Sequence, residues 1–133
     1  MSGCCGGGTR LIYACSGCSD VGEVADRVGR KLSKDGFGKM ACLAGVGAQI
    51  SGFVESAKGS DENIVIDGCP VACAKKVIEH TGAVSKNYIL TEMGLTKGKT
   101  EVTNEVIELV CRKINMAGAS KEKTKGSGGG CCS

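Results

Sequence analysis

Short apolar runs alternate with stretches of helical periodicity between Thr9 and Ala117, and this alternation limits the chain to few architectures. Arg10-Leu-Ile-Tyr-Ala14 reads as a strand, and Val21, Val24, Ala25, Val28 and Leu32 then fall on one helical face. Asp20 and Glu23 carry capping-box spacing at the start of that helix. Lys39-Met-Ala-Cys-Leu43 predicts a second strand, and Val46, Ile50, Phe53, Val54 and Ala57 predict one helical stripe after it. Asn63-Ile-Val-Ile-Asp67 is the third strand. Pro70 is placed to open the next helix, where a missing N–H costs nothing, and Gly82 to close it. Asn87-Tyr-Ile-Leu-Thr91 gives the fourth strand, and Thr103 to about Asn115 the last helix. The order β-α-β-α-β-α-β-α predicts an α/β three-layer sandwich: a four-stranded parallel sheet with right-handed crossovers and helices on both faces. The expected strand order is 2-1-3-4, which is Rossmann-like in kind and flavodoxin-like in detail.

The chain has 133 residues, enough for one domain with a real core. With no Trp, two Phe and two Tyr, that core must be aliphatic. MSGCCGGG (residues 1–8) and the Lys/Gly/Cys-rich end (residues 118–133) each carry a Cys-Cys pair and too little apolar surface to order themselves. They are expected to be flexible termini around a single domain spanning 9–117. A formal charge of +3, spread along the chain, gives no electrostatic case for nucleic acid. No apolar run approaches the roughly 20 residues that span a bilayer, so no membrane partner is expected. MSGCCGGGTR lacks the apolar core of a secretory signal, and Gly130 stands where a prenylation box needs cysteine. The resulting expectation is a cytoplasmic protein. Thiols stay reduced in that compartment, so ten cysteines point to metal or redox chemistry rather than structural disulfides.

Ligands of open α/β sheets bind outside the carboxyl ends of the strands. Cys15 follows the first strand at once, Cys42 lies near the end of the second, and Cys69 comes two residues after the third. Cys73 is one helical turn beyond Cys69. These four thiols are expected to converge on one edge of the sheet. With Cys69 as the helix N-cap, both thiols of the pair could reach one ion at about 2.3 Å. The helix N-terminus would favour the thiolate form there. Lys75 and Lys76 could offset part of the negative charge of such a cluster.

Other motifs carry less. Cys15-Ser-Gly-Cys18 has the C-x-x-C form of a dithiol redox site, but Pro70 is not placed like the cis-proline of a thioredoxin-like fold. Cys18 remains a candidate fifth ligand or a resolving thiol. A cysteine phosphatase needs Arg six residues after its nucleophile. Those positions after Cys15, Cys18, Cys42, Cys69 and Cys73 hold Val21, Val24, Ala48, Lys75 and Glu79. Gly94-Leu-Thr-Lys-Gly-Lys-Thr100 is one residue short of a phosphate-binding P-loop and reads as a basic solvated turn. Gly45-Val-Gly47 lacks the third glycine of a dinucleotide fingerprint and reads as close backbone packing. His80, about 10 Å of helix past Cys73, is too far to share an ion with the helix N-terminus. Cys111 shares the apolar side of the last helix with Ile107 and Ile114 and reads as core.

The segments IYACSG, MACLAGVGA, GFVESAK, IDGCPVACAKK and TEMGLTKGK resemble the DGC domain family, named for the tripeptide that here is Asp67-Gly68-Cys69. The resemblance runs from about Leu11 to Ile114. Members are described as zinc-binding, and the resemblance implies Cys15, Cys42, Cys69 and Cys73 as ligands. The presence of Cys18 and the terminal Cys-Cys pairs departs from that pattern. The leading expectation is therefore a small cytoplasmic metal-binding protein holding zinc through these cysteines, with protein partners unspecified. The alternatives are a thiol redox or sulfur-transfer protein using Cys15 and Cys18 or Cys69 and Cys73, and an iron–sulfur protein. No general base stands beside a nucleophile in the sequence, so no enzyme is predicted.

Overall fold

The computed structural model describes residues 8–125, with side chains as far as Gly118. The expectations for the Cys4-Cys5 and Cys131-Cys132 pairs lie outside these residues. Four parallel strands, β1 (Arg10–Ala14), β2 (Lys39–Met40), β3 (Glu62–Asp67) and β4 (Lys86–Ile89), form one sheet in the order β2-β1-β3-β4. This is the expected strand order. The helices are α1 (Asp20–Lys34), α2 (Leu43–Gly47), α3 (Ser51–Gly59), α4 (Cys73–His80) and α5 (Asn104–Lys125).

Each central strand is buried on both faces, so its alternate side chains feed two cores. Ile12 and Ala14 of β1 join Ile64 and Ile66 of β3 beneath Val24, Val28 and Leu32 of α1 and Ile107, Val110 and Ile114 of α5. On the opposite face, Leu11, Tyr13 and Val65 pack with Val46 of α2, Ala57 of α3, and Ala74 and Ile78 of α4. The register sets Ile12 against Ile64 and Ala14 against Ile66, which keeps both apolar sets in phase. Three layers result, with an aliphatic core in which Tyr13 is the largest fully buried side chain.

Several local expectations are corrected. The second strand is two residues long rather than five, because Cys42 already caps a helix. The single stripe from Val46 to Ala57 is instead two helices, separated at Gln49, whose φ is +62°. Val46 and Ala57 are buried, but Ile50 and Phe53 are 51% and 39% exposed. Pro70 precedes α4 without opening it. Cys73 opens that helix behind Ala72, whose φ is +54°, so Cys69 is not the N-cap. The cap of α1 is Ser19, whose Oγ accepts from Gly22 N at 3.1 Å, and Asp20 is the first helical residue. The fourth strand ends at Ile89, and Leu90 begins a 3-10 turn as a fully buried side chain. Gly82 follows α4 with φ +85°, as expected of a helix-stopping glycine. Helix α5 continues to Lys125, past the expected helix end near Asn115, through a run rich in the strong helix formers Ala, Lys and Glu. Among the described residues, no helix is long and apolar enough to cross a membrane.

Candidate functional site

Parallel strands place all their carboxyl ends on one rim, and the site is built there. Asp67, the last residue of β3, is 1% exposed. Its carboxylate accepts from Ala74 N at 2.8 Å and Lys75 N at 3.0 Å, two of the N–H groups that the start of a helix leaves without intrahelical partners. One buried side chain thereby ties the end of β3 to the start of α4 and fixes where Cys73 stands. Gly68 follows against α1. A Cβ there would lie 2.6 Å from Val21 C and 2.8 Å from Gly22 N. Only glycine lets the corner of β3 approach the first turn of α1 this closely.

The thiols fall around this corner. Cys15 continues β1, with its N–H donating to Ile66 O at 3.1 Å, while its Sγ accepts from Gly68 N at 3.4 Å. Its chain then turns through Ser16, at φ +50°, and Ser16 Oγ donates to Asp26 at 2.8 Å. Cys18 is exposed in the loop just before the Ser19 cap. Cys69 is half-buried, and its carbonyl accepts from Ala72 N at 3.0 Å to close the turn that leads to Cys73. Cys15, Cys18, Cys69 and Cys73 all line one cavity of about 200 Å³, together with Asp67, Gly68 and Lys97. All four are free thiols.

Cys42 is placed differently. It leaves β2 on the same rim, but it caps α2 with its Sγ accepting from Gly45 N at 3.3 Å, and it does not line the cavity. The structure thus places on one cavity three of the four expected cysteines, together with Cys18, the candidate fifth. Cys111 is core, as expected: its S–H faces Val28 O at 3.8 Å, and burial pushes its thiol up to about 11. His80 sits in the last turn of α4, away from the cavity lining.

Sequence reasoning missed Lys97. Its Nζ lies 3.6 Å from Cys69 Sγ, and Lys75 and Lys76 are absent from the cavity lining. Lys97 arrives on the Gly94–Thr100 segment, the P-loop-like stretch that read as a solvated turn. Asp20 fastens this segment across the sheet rim, its carboxylate accepting from Gly98 N at 2.8 Å and Thr100 N at 2.9 Å. Those two N–H groups hold the Asp20 carboxyl below the usual carboxylate range. Only an acidic residue in the first turn of α1 hinted at this clip, and its partners lie some 80 residues away.

Four thiols on one cavity suit a soft or borderline metal ion such as zinc in donor chemistry. Their positions do not yet form a coordination shell. Among the described residues, no three His, Cys, Asp or Glu side chains are grouped so that they could hold an ion. Coordination would require the cysteine side chains on the cavity wall to come closer together. Among the described residues, Cys15 Sγ is held by Gly68 N and Cys69 Sγ by the Lys97 ammonium.

The anaerobic and virulence modulator AnvM of Pseudomonas aeruginosa (strain PAO1) is 35% identical over 88 residues, which covers 65% of this chain and 67% of that protein. No solved structure matches the chain at a significant level. The sequence model of the DGC domain matches residues 11–114, from the second residue of β1 to the middle of α5, with the Asp67-Gly68-Cys69 corner inside it. The chain belongs to the DGC domain family.

Proposed function

We propose that this protein binds a thiophilic metal ion, with zinc as the leading candidate, through Cys15, Cys18, Cys69 and Cys73. The observation that carries the reading is their shared cavity, reached from two strand ends and one helix start. Thiols scattered for packing alone would sit within the cores, as Cys111 does. Zinc bound there would supply a link between the segments that follow β1 and β3. The protein's own part is to hold the donors: Asp67 sets the start of α4, and Gly68 brings the turn against α1.

Metal analysis of the purified chain, together with its visible spectrum, tests this. Stoichiometric zinc in a colourless protein supports the reading, whereas a brown protein with thiolate-to-iron absorption would favour an iron–sulfur centre. The cysteine assignment is tested by serine substitutions. Cys69→Ser and Cys73→Ser are expected to weaken metal binding by more than about 100-fold, beyond what loss of an outer-shell group costs. Cys18→Ser is expected to weaken binding more than Cys42→Ser does. The reverse order would return Cys42 to the ligand set that the family resemblance implies.

A second reading has a specific observation behind it. Cys15 and Cys18 form a C-x-x-C pair on the same wall as Cys69 and Cys73, and no three of the thiols are pre-assembled for metal. A dithiol redox role would show as metal-free protein whose cavity thiols form a disulfide under mild oxidation by a disulfide reagent. Peptide mapping of the oxidised chain distinguishes that outcome.

A further inference from the structure

The Gly94–Thr100 segment has a role in none of the readings above, yet it is a built element. Thr100 Oγ1 donates to Thr96 O at 2.7 Å and accepts from Thr96 N at 3.1 Å, while Lys99 N donates to Thr96 O at 3.1 Å. Asp20 fastens this braced loop through Gly98 N and Thr100 N. Lys97 projects from it to Cys69 Sγ, and the loop's other lysine, Lys99, is not on the cavity wall.

We propose that this segment is a counter-ion arm for the thiol cavity: Asp20 positions it so that the Lys97 ammonium offsets the negative charge of a metal–thiolate cluster. The inference rests on the metal-binding reading and deepens it. Several thiolates on one divalent ion leave a net negative charge, and that charge is stabilised by a fixed cation at hydrogen-bond range of a ligand sulfur. Asp20 is not among the residues that line the cavity. Its effect passes through the placement of Lys97, so it is a positioning residue. Both groups are solvent-accessible, which keeps the energetic effect within that of an exposed ion pair.

The probe is cadmium, followed by its thiolate charge-transfer absorption and titrated against a competing chelator in the full-length chain. Lys97→Met is expected to weaken cadmium binding by about fivefold, and Lys97→Arg to restore most of the loss. Added salt should shrink the gap between wild type and Lys97→Met, because screening weakens the ammonium. Asp20→Asn should also weaken binding, and the double variant should be no weaker than Lys97→Met alone, since both changes remove one interaction. Equal affinity in Lys97→Met and wild type would overturn the arm while leaving the metal site intact. Strictly additive losses would remove Asp20 from it. Wild-type protein that takes up no cadmium would overturn the metal reading, and the arm with it. The far-ultraviolet circular dichroism of each variant separates lost binding from lost fold.

Discussion

A Cβ placed on Gly68 would lie 2.6 Å from Val21 C and 2.7 Å from Val21 O, closer than real carbon contacts come. The obstructing atoms are backbone in the first turn of a helix, so no rotamer change can relieve them. A similar approach occurs one step away, where a Cβ on Gly22 would meet Gly17 O at 2.8 Å. Glycines therefore bring three segments together under the cavity: the loop after Cys15, the start of α1 and the corner after β3. Gly68→Ala must push α1 away from the sheet or distort the corner. An unfolding free-energy loss of about 1–3 kcal/mol is expected, in the range of overpacked cores, read as a lower urea midpoint. Cys69 follows Gly68 directly, so the same variant should also bind metal more weakly. A change within about 0.5 kcal/mol, as for an ordinary surface substitution, would show that the corner has slack that this geometry denies.

Helix α4 begins under constraint. Ala72, ahead of it, is in the left-handed region, and no side chain from the adjacent cap position satisfies its first N–H groups. Asp67 does so from the end of β3, across the turn that holds Cys69 and Pro70. Asp67→Ala would leave Ala74 N, which is buried, and Lys75 N without that partner. A destabilisation of about 1–3 kcal/mol is expected for losing a buried acceptor, together with weaker metal binding, because Cys73 opens the loosened helix. Amide exchange measures this locally: protection at Ala74 and Lys75 should fall more than protection in β1. Equal loss across the molecule would mean that Asp67 supports the core rather than this helix start. The same element shows how far sequence reading reached. The strand end before Cys69 and the stop at Gly82 were legible because apolar runs and glycine punctuation are local signals. The start of α4 was misplaced at Pro70 because its cap comes from Asp67, which precedes the helix by several residues. Likewise the stripe from Val46 to Phe53 had helical spacing, but Gln49 turns the chain and leaves Ile50 half-exposed. Spacing reports which residues could share a face; it does not report where the backbone bends.

For the whole molecule, β-α-β alternation was enough to place the strand ends on one rim, and so to bring Cys15, Cys69 and Cys73 near one another before any contact was known, although the same argument also placed there Cys42, which caps α2 instead of lining the cavity. Lys97 could not be found that way, because Asp20 holds its segment at the rim through a contact spanning most of the chain. The site therefore exists only when the sheet, α1, α4 and the arm are assembled together. Metal binding should accordingly stabilise the entire fold. Free metal at about 100 times its dissociation constant adds about 2.7 kcal/mol to a native state that alone binds it. For a domain near 100 residues that corresponds to a rise in melting temperature of roughly 10–20 °C. The unfolded chain would oppose this wherever its ten cysteines compete for the ion. The sign of the shift is thus informative. A rise with zinc or cadmium, reversed by chelator and much reduced in Cys73→Ser, means that the folded arrangement of thiols outcompetes the same thiols in a random chain. A fall in melting temperature means that the unfolded thiols win, and the cavity would then have to be explained by thiol chemistry without a bound ion.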